Sequence, residues 1–176
     1  GKRKTVFLFG GSQGSVPLNQ AIQPVLPALQ DRGIQLLWQT GPNNYEALKE
    51  LESDTVRIKP YIKEMAHAYA LSDIVVARAG ALTLSELSVC GMPSILLPLP
   101  RATADHQTKN AETMVRSGAA VMIQQADLTT ANLQEMIIGL LGDADKLTAM
   151  GAQALSLGKP KATEEIVDKI FEVARS

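Results

Sequence analysis

Residues that build metal sites, disulfides or membrane spans are scarce in this sequence of 176 residues. Its single cysteine, Cys90, excludes an internal disulfide and every zinc site made from several cysteines. With only two histidines and no His-Glu-x-x-His run, no metal is expected. No apolar run approaches the roughly 20 residues that span a bilayer. No long apolar segment of the kind found in signal peptides follows the basic start, so we expect a soluble, cytosolic domain.

Charge of one sign is also lacking, because 17 Lys and Arg residues nearly balance 18 Asp and Glu residues. With a formal net charge of −1, the chain has no overall positive electrostatic field that would attract a polyanion. Nucleic acid is therefore not expected as a partner. The 45% hydrophobic content and the length suit one domain with its own core. Because the chain starts at Gly1 without methionine, we expect that it is either processed or cut from something longer.

Short apolar runs alternate with helical patterns along the chain, which predicts an α/β fold. Pro24 and Pro27 interrupt the first helical pattern and predict a kink or a broken first half there. Six βα units with short connections predict a Rossmann-like, doubly wound parallel sheet of about six strands, with helices on both faces. The predicted strands are 5–9, 35–39, 55–59, 74–77, 94–97 and 121–123. The predicted helices are 18–30, 45–51, 65–71, 82–90, 106–116, 131–141, 146–155 and 164–174.

The loop Gly10-Gly-Ser-Gln-Gly-Ser15 follows the first strand, where ligands of such sheets bind. Successive glycines allow backbone N–H groups to converge on an anion next to a helix N-terminus. The spacing differs from the dinucleotide motif Gly-x-Gly-x-x-Gly and from the P-loop. A tight turn without a ligand therefore remains an alternative for this loop.

The segment from Arg78 to Glu86 leads from the fourth strand into a helix. Free N–H groups at the start of this helix could bind a diphosphate, and Glu86 could accept two hydrogen bonds from a ribose diol. Alternatively, Thr83 and Glu86 form a capping box and need no ligand.

A polar helix start follows the fifth strand. His106 and Gln107 could bind sugar hydroxyls, but the same residues would suit a helix that is simply capped by Asp105. Cys90, at a helix end among apolar neighbours, is interpreted as a packing residue.

These segments together resemble the MurG-type glycosyltransferases. That family transfers N-acetylglucosamine (GlcNAc) from UDP-GlcNAc to undecaprenyl-pyrophosphoryl-MurNAc-pentapeptide, converting lipid I to lipid II in peptidoglycan synthesis. The family often carries Gln-Gln where this sequence has His106 and Gln107. The matching motifs are Gly10-Gly-Ser-Gln-Gly14 with Asn19, Tyr61-Ile62, Met65-x-x-Ala68-Tyr69, Ser72-Asp73, Arg78-x-Gly-Ala-Leu-Thr-x-Ser-Glu86, Gly91-x-Pro93 and His106-Gln107-x-x-Asn110-Ala111.

The resemblance implies a binding site for UDP-GlcNAc. The glycine loop and the helix start after the fourth strand would hold the diphosphate, while the backbone of Ile62 would contact the edge of the uracil. Glu86 would bind the ribose hydroxyls, and His106 and Gln107 would reach the GlcNAc hydroxyls. The loop and helix-start residues in this set are Gly11, Ser12, Gln13, Gly14, Gly80, Ala81, Leu82 and Thr83.

The resemblance also implies that residues 1–176 are one half of a two-domain transferase of the GT-B type. The N-terminal acceptor domain would be absent from this chain, together with the catalytic base and most of the contact with the membrane. The full-length enzyme would then be peripheral on the cytoplasmic face of the bacterial cell membrane and would need no cofactor. The alternatives are a stand-alone UDP-sugar-binding subunit of a two-subunit GlcNAc transferase and a non-catalytic nucleotide-sensing Rossmann module.

Overall fold

The computed structural model describes residues 3–100 and 105–161, and one parallel sheet of six strands organises them. The spatial order of the strands is β3-β2-β1-β4-β5-β6, and every neighbouring pair is parallel. The predicted fold class is therefore confirmed. The strands are β1 (Thr5–Phe9), β2 (Gln35–Gln39), β3 (Val56–Lys59), β4 (Ile74–Ala77), β5 (Ser94–Leu96) and β6 (Ala120–Met122).

Eight α-helices connect or follow these strands within the described residues. The third begins at Pro42 rather than at Tyr45, as proline is favoured in the first helical turn. Strand β6 begins one residue earlier than predicted, and the predicted helix 164–174 lies outside the described residues. The helices are α1 (Val16–Ile22), α2 (Leu26–Gln30), α3 (Pro42–Leu48), α4 (Met65–Leu71), α5 (Ala81–Val89), α6 (His106–Arg116), α7 (Thr130–Gly142) and α8 (Ala144–Leu157).

The predicted interruption of the first helical segment is confirmed, as a break into two helices. A 3₁₀ turn over Gln23–Val25 separates α1 from α2. Pro24 lies at the start of this turn and Pro27 at the start of α2. Because proline has no N–H to donate to the preceding turn, each one starts a new helical segment more easily than it continues an old one.

Helices cover both faces of the sheet, as β1 illustrates. Val6 and Leu8 belong to one hydrophobic cluster, whereas Phe7 and Phe9 belong to a second cluster on the opposite face. Successive side chains of a strand point to opposite faces, so a strand buried on both sides has no polar face. Phe7 and Phe9 stack with ring centroids 4.7 Å apart, and Tyr69 of α4 packs edge-on against both rings.

Strands β1 and β4 are neighbours in the middle of the sheet, although two βα units separate them in sequence. The connections from β1 and from β4 then lead towards opposite edges of the sheet. The loops that follow β1 and β4 therefore diverge around a crevice at the carboxyl ends of the strands. Ligands bind to open α/β sheets at such a crevice. Among the described residues, no helix is both long enough and apolar enough to cross a membrane.

Candidate functional site

A cavity of about 440 Å³ occupies this crevice. Its wall is formed by the glycine loop, by the residues that follow β4 and by residues that follow β5. Five of the predicted site residues line it. They are Gly11, Gly14, Gly80, Thr83 and Gln107.

The fold itself requires glycine at two places in and beside the glycine loop. A Cβ atom on Gly14 would lie 1.9 Å from the carbonyl oxygen of Thr40, and one on Gly41 would lie 2.1 Å from that of Gln13. Both glycines also have positive φ, at 77° and 83°. The close packing of two loops thus accounts for Gly14 without a ligand. Ser12 and Gln13 lie exposed at the turn between Gly11 and Gly14.

Arg78, which follows β4 directly, brings a buried positive charge to the same cavity. Its guanidinium group donates to the carbonyl oxygens of Leu97 and Pro98, at 3.2 and 3.1 Å, and to Oε1 of Gln125 at 2.7 Å. Burial lowers the pKa of Arg78 from its usual value. Among the ion pairs between described residues, none includes Arg78.

The site residues predicted from sequence do not include Arg78. A signal was present, because a charged residue directly follows the fully buried strand Ile74–Ala77. A guanidinium remains protonated even when burial lowers its pKa, so its charge is available to an anion in the cavity.

Helix α5 begins beside Arg78 with an N-terminus that no side chain caps. Gly80 is the N-cap residue, and the first backbone bond at this end runs from the Leu84 N–H to the Gly80 carbonyl oxygen, at 3.0 Å. The preceding N–H groups, at Ala81, Leu82 and Thr83, are therefore not used by the helix. Because Thr83 lies inside α5, the alternative of a capping box formed by Thr83 and Glu86 is wrong.

Glu86 lies one turn further along α5 and is held by a buried tyrosine. The hydroxyl group of Tyr69, in α4, donates a hydrogen bond of 2.7 Å to Oε2 of Glu86. Burial, followed by the hydrogen bond to Glu86, raises the pKa of Tyr69 well above its usual value. The tyrosine therefore stays protonated and acts as a donor, which fixes one carboxylate oxygen and leaves the other for a ligand.

A second cavity, of about 880 Å³, adjoins Glu86 between α4, α5 and α6. Ala81 and Tyr69 contribute to its wall, as does Cys90. Cys90 is exposed, so its interpretation as a packing residue is wrong. It follows the end of α5 and faces this cavity instead of the core.

Ile62 lies in the loop between β3 and α4, and its backbone N–H already has a partner. This N–H donates to Oε1 of Gln39 at 2.7 Å. Of the two backbone groups through which Ile62 was predicted to contact uracil, the carbonyl is therefore the one left to accept a hydrogen bond.

Asp105 occupies the predicted N-cap position at the polar start of α6, and the binding of sugar hydroxyls by His106 and Gln107 stays a prediction. Asp105 precedes the helix with a φ of 53° and makes no capping bond to a backbone N–H; its Oδ1 instead accepts from the Thr108 hydroxyl at 2.7 Å. Oε1 of Gln107 accepts from the Leu99 N–H at 3.0 Å, which leaves the amide nitrogen of Gln107 as the donor. The predicted residues that line neither cavity are Ser12, Gln13, Ile62, Leu82 and His106.

Acidic residues offer no metal site in the part of the chain that the structure describes. No group of three or more His, Cys, Asp and Glu side chains there could hold an ion. The pair Asp143 and Asp145 has the Asp-x-Asp spacing of some metal-dependent transferases. However, Oδ1 of Asp143 accepts from the Lys146 N–H at 2.9 Å and caps α8.

Comparison with known proteins places this geometry in a family. Residues 5–166 match the family described as the glycosyltransferase family 28 C-terminal domain. The chain is 43% identical over 174 residues to the UDP-N-acetylglucosamine--N-acetylmuramyl-(pentapeptide) pyrophosphoryl-undecaprenol N-acetylglucosamine transferase of Salinibacter ruber, covering 97% of this chain and 47% of the relative. The transferase of the same name from Cytophaga hutchinsonii is 41% identical, with 96% of this chain and 46% of that protein covered.

A solved structure agrees with these relatives. The crystal structure of Acinetobacter baumannii MurG superposes with a TM-score of 0.86 at 33% sequence identity, covering 97% of this chain and 50% of that one. The chain thus spans about half the length of the curated relatives it matches. On the strength of the match over residues 5–166, the chain belongs to the glycosyltransferase family 28 C-terminal domain family.

Proposed function

We propose that this chain binds UDP-GlcNAc and forms the donor half of a glycosyltransferase that acts in peptidoglycan synthesis. The observation that carries the proposal is the buried guanidinium of Arg78 beside the uncapped start of α5, on the cavity next to the glycine loop. A buried cation and free backbone N–H groups favour an anion such as a diphosphate. The names of the relatives supply the identity of the nucleotide sugar.

In this proposal the parts of the donor follow the crevice. The diphosphate lies against Gly11, Gly14 and the first N–H groups of α5, and the ribose diol bonds to the free oxygen of Glu86. The uracil then faces the backbone of Ile62, in the loop that precedes α4. The GlcNAc hydroxyls face the amide nitrogen of Gln107 and the side chain of His106.

The chemistry proposed for the whole protein is transfer of GlcNAc to a lipid-linked acceptor. The acceptor hydroxyl oxygen forms a bond to C1 of GlcNAc, the bond from C1 to the β-phosphate oxygen breaks, and UDP leaves with the electron pair. The acceptor proton passes to a base outside this chain. Arg78 and the N-terminus of α5 stabilise the negative charge that develops on the departing diphosphate, while Glu86 keeps the donor oriented.

The acceptor domain and attachment to the cytoplasmic face of the membrane are proposed for the other half of the protein. This arrangement predicts that the 176-residue chain alone does not convert lipid I to lipid II. Joined to an acceptor domain of this family, it should do so. A non-catalytic nucleotide sensor would bind UDP-GlcNAc but give no product in either assay.

Calorimetric titration of the chain with UDP-GlcNAc tests the donor site. We expect binding that weakens at least about tenfold in Glu86→Ala, because the ribose loses a charge-assisted hydrogen bond. Glu46→Ala is the matched control, since Glu46 is an exposed residue of α3 whose partner is Lys49. Equal affinity in Glu86→Ala and in the unmodified protein would contradict the ribose assignment. Absence of binding by the folded chain would contradict the proposed function.

A further inference from the structure

Gln39 connects two loops of the crevice through one buried side chain. It is the last residue of β2 and is 2% exposed. Its Nε2 donates to the carbonyl oxygen of Gly11 at 3.0 Å, and its Oε1 accepts from the N–H of Ile62 at 2.7 Å. One amide group therefore holds both the glycine loop and the loop that precedes α4.

The position of Gln39 follows from the order of the strands. Strand β2 lies between β1 and β3, and Gln39 is in register with Phe9 on one side and with Lys59 on the other. The two loops that it contacts leave the sheet just after these partners. A side chain at this position, at the end of the middle strand of the three, reaches both loops at once.

The chemistry of the two bonds requires glutamine. Gly11 offers a carbonyl oxygen and Ile62 offers an N–H, so the bridging group must donate on one side and accept on the other. A primary amide does both in a fixed plane. Glutamate would set a carboxylate oxygen against the Gly11 carbonyl, and methionine, of similar length, would offer neither a comparable donor nor a comparable acceptor.

We propose that Gln39 is a positioning residue for recognition of the nucleobase: by holding the Ile62 N–H and the Gly11 carbonyl oxygen, it fixes the backbone of Ile62 relative to the glycine loop, so that the Ile62 carbonyl is held in place for the base. The inference rests on the proposed function, since it needs a nucleotide in the crevice. A carbonyl accepts from the N3–H of uracil. Cytosine has a lone pair at N3 and would be disfavoured at the same position.

The test compares UDP and CDP as ligands of the full 176-residue chain by calorimetry. We expect the unmodified protein to prefer UDP, and Gln39→Met to lower the ratio of the two dissociation constants by about tenfold, the effect of losing one well-placed hydrogen bond. A merely structural role would weaken UDP and CDP equally and leave this ratio unchanged. Gln35→Met is the matched control, because Gln35 begins the same strand at the opposite end from the crevice.

The outcomes separate the two proposals. An unchanged preference for UDP in a folded Gln39→Met protein would overturn the role of Gln39 and leave the donor site intact. Binding of neither nucleotide by the unmodified protein would overturn the donor site as well. If Gln39→Met does not fold, hydrogen exchange of the unmodified protein decides: we expect the Ile62 amide to exchange at least about 100-fold more slowly than exposed loop amides. Exchange at the rate of an exposed loop amide would overturn the proposal.

Discussion

The hydroxyl group of Tyr69 donates a hydrogen bond of 2.7 Å to Glu86 across the space between α4 and α5. Tyr69 is 2% exposed and packs against Phe7 and Phe9, so its ring cannot swing away from the carboxylate. The carboxylate of Glu86 is thereby oriented before any ligand arrives. Preorganisation of this kind lowers the conformational entropy lost on binding.

Replacement of Tyr69 by phenylalanine removes this orientation while keeping the ring. We expect the affinity for UDP to fall about three- to tenfold, as for loss of one hydrogen bond. The affinity for 2′,3′-dideoxy-UDP should change little, because that ligand offers no diol to Glu86. Calorimetry with both ligands measures the difference, and Tyr45→Phe serves as the control on α3. If the affinity fell equally for the two ligands, Tyr69 would support only the fold and not the orientation of Glu86 towards the ribose.

The raised pKa of Tyr69 also predicts how stability depends on pH. The unfolded chain loses the tyrosine proton above about pH 10, whereas the folded chain retains it. The stabilisation from this residue is therefore complete below about pH 10 and is lost as the pH rises further. Relative to Tyr69→Phe, the wild-type free energy of unfolding should fall by up to about 1.4 kcal/mol per pH unit in that range. Urea unfolding of both proteins between pH 8 and 11 measures this difference. If the free energies of unfolding of the two proteins changed with pH in parallel, the raised pKa of Tyr69 would be contradicted.

Replacement of two glycines by alanine should distinguish a glycine required for ligand binding from one required for the fold. Gly80 has a φ of −67°, and the nearest atom to an added Cβ is Thr83 Oγ1 at 3.9 Å. Gly80→Ala should therefore lower its melting temperature only slightly, through the weaker preference for alanine at an N-cap, but bind UDP more weakly, because the methyl group occupies the wall of the diphosphate cavity. Gly14→Ala should lower the melting temperature strongly through contact with Thr40. Thermal unfolding and titration of both variants measure these effects, and full UDP affinity in Gly80→Ala would contradict the placement of the diphosphate.

Loss of the Arg78 charge should affect phosphates more than the nucleoside. In Arg78→Met we expect UDP to bind at least about tenfold more weakly, as for loss of a charge-assisted contact, and uridine to bind nearly as before. Arg57→Met is the control, because Arg57 is an exposed residue of β3. Titration with UDP and with uridine measures the difference. If both ligands weakened to the same extent, Arg78 would act only through the carbonyl groups that it holds.

Two buried hydroxyl groups provide a test on stability alone. Within the described part of the chain, Oγ of Ser15 and Oγ of Ser94 have no hydrogen-bond partner. Each therefore carries a desolvation cost without a compensating bond, and alanine at either position should raise the free energy of unfolding by up to about 1 kcal/mol. Ser72→Ala should lower it, because Ser72 Oγ donates to the Ala68 carbonyl oxygen at 2.7 Å. Urea unfolding compares the three variants, and destabilisation by Ser15→Ala would reveal a partner for that hydroxyl.

The sheet and most helices were predictable from sequence because their signals are local. Continuous apolar runs such as Thr5–Phe9 indicate buried parallel strands, and glycines or prolines mark where they end. The sequence pattern predicts the start of α3 at Tyr45 instead of Pro42, because the polar residues after Pro42 obscure the helical periodicity.

The partners of the site residues were not predictable in the same way. Gln39 is separated by 23 residues from Ile62, and Arg78 by 47 residues from Gln125. Such contacts depend on the order of the strands and on the direction of each side chain at the end of a strand. The sequence alone contained Tyr69 and Glu86 as separate motif residues and provided no sign that they bond to each other.

The mutual contact of the two loops at Gly14 and Gly41 has a consequence for protein engineering. Because a Cβ atom on either residue would overlap the backbone of the opposite loop, neither loop can be redesigned alone. A library that randomises one of these positions while keeping the other loop should return glycine almost exclusively. Transplanting the crevice into another parallel sheet would require moving both loops, with the register of β1 and β2, as a single unit.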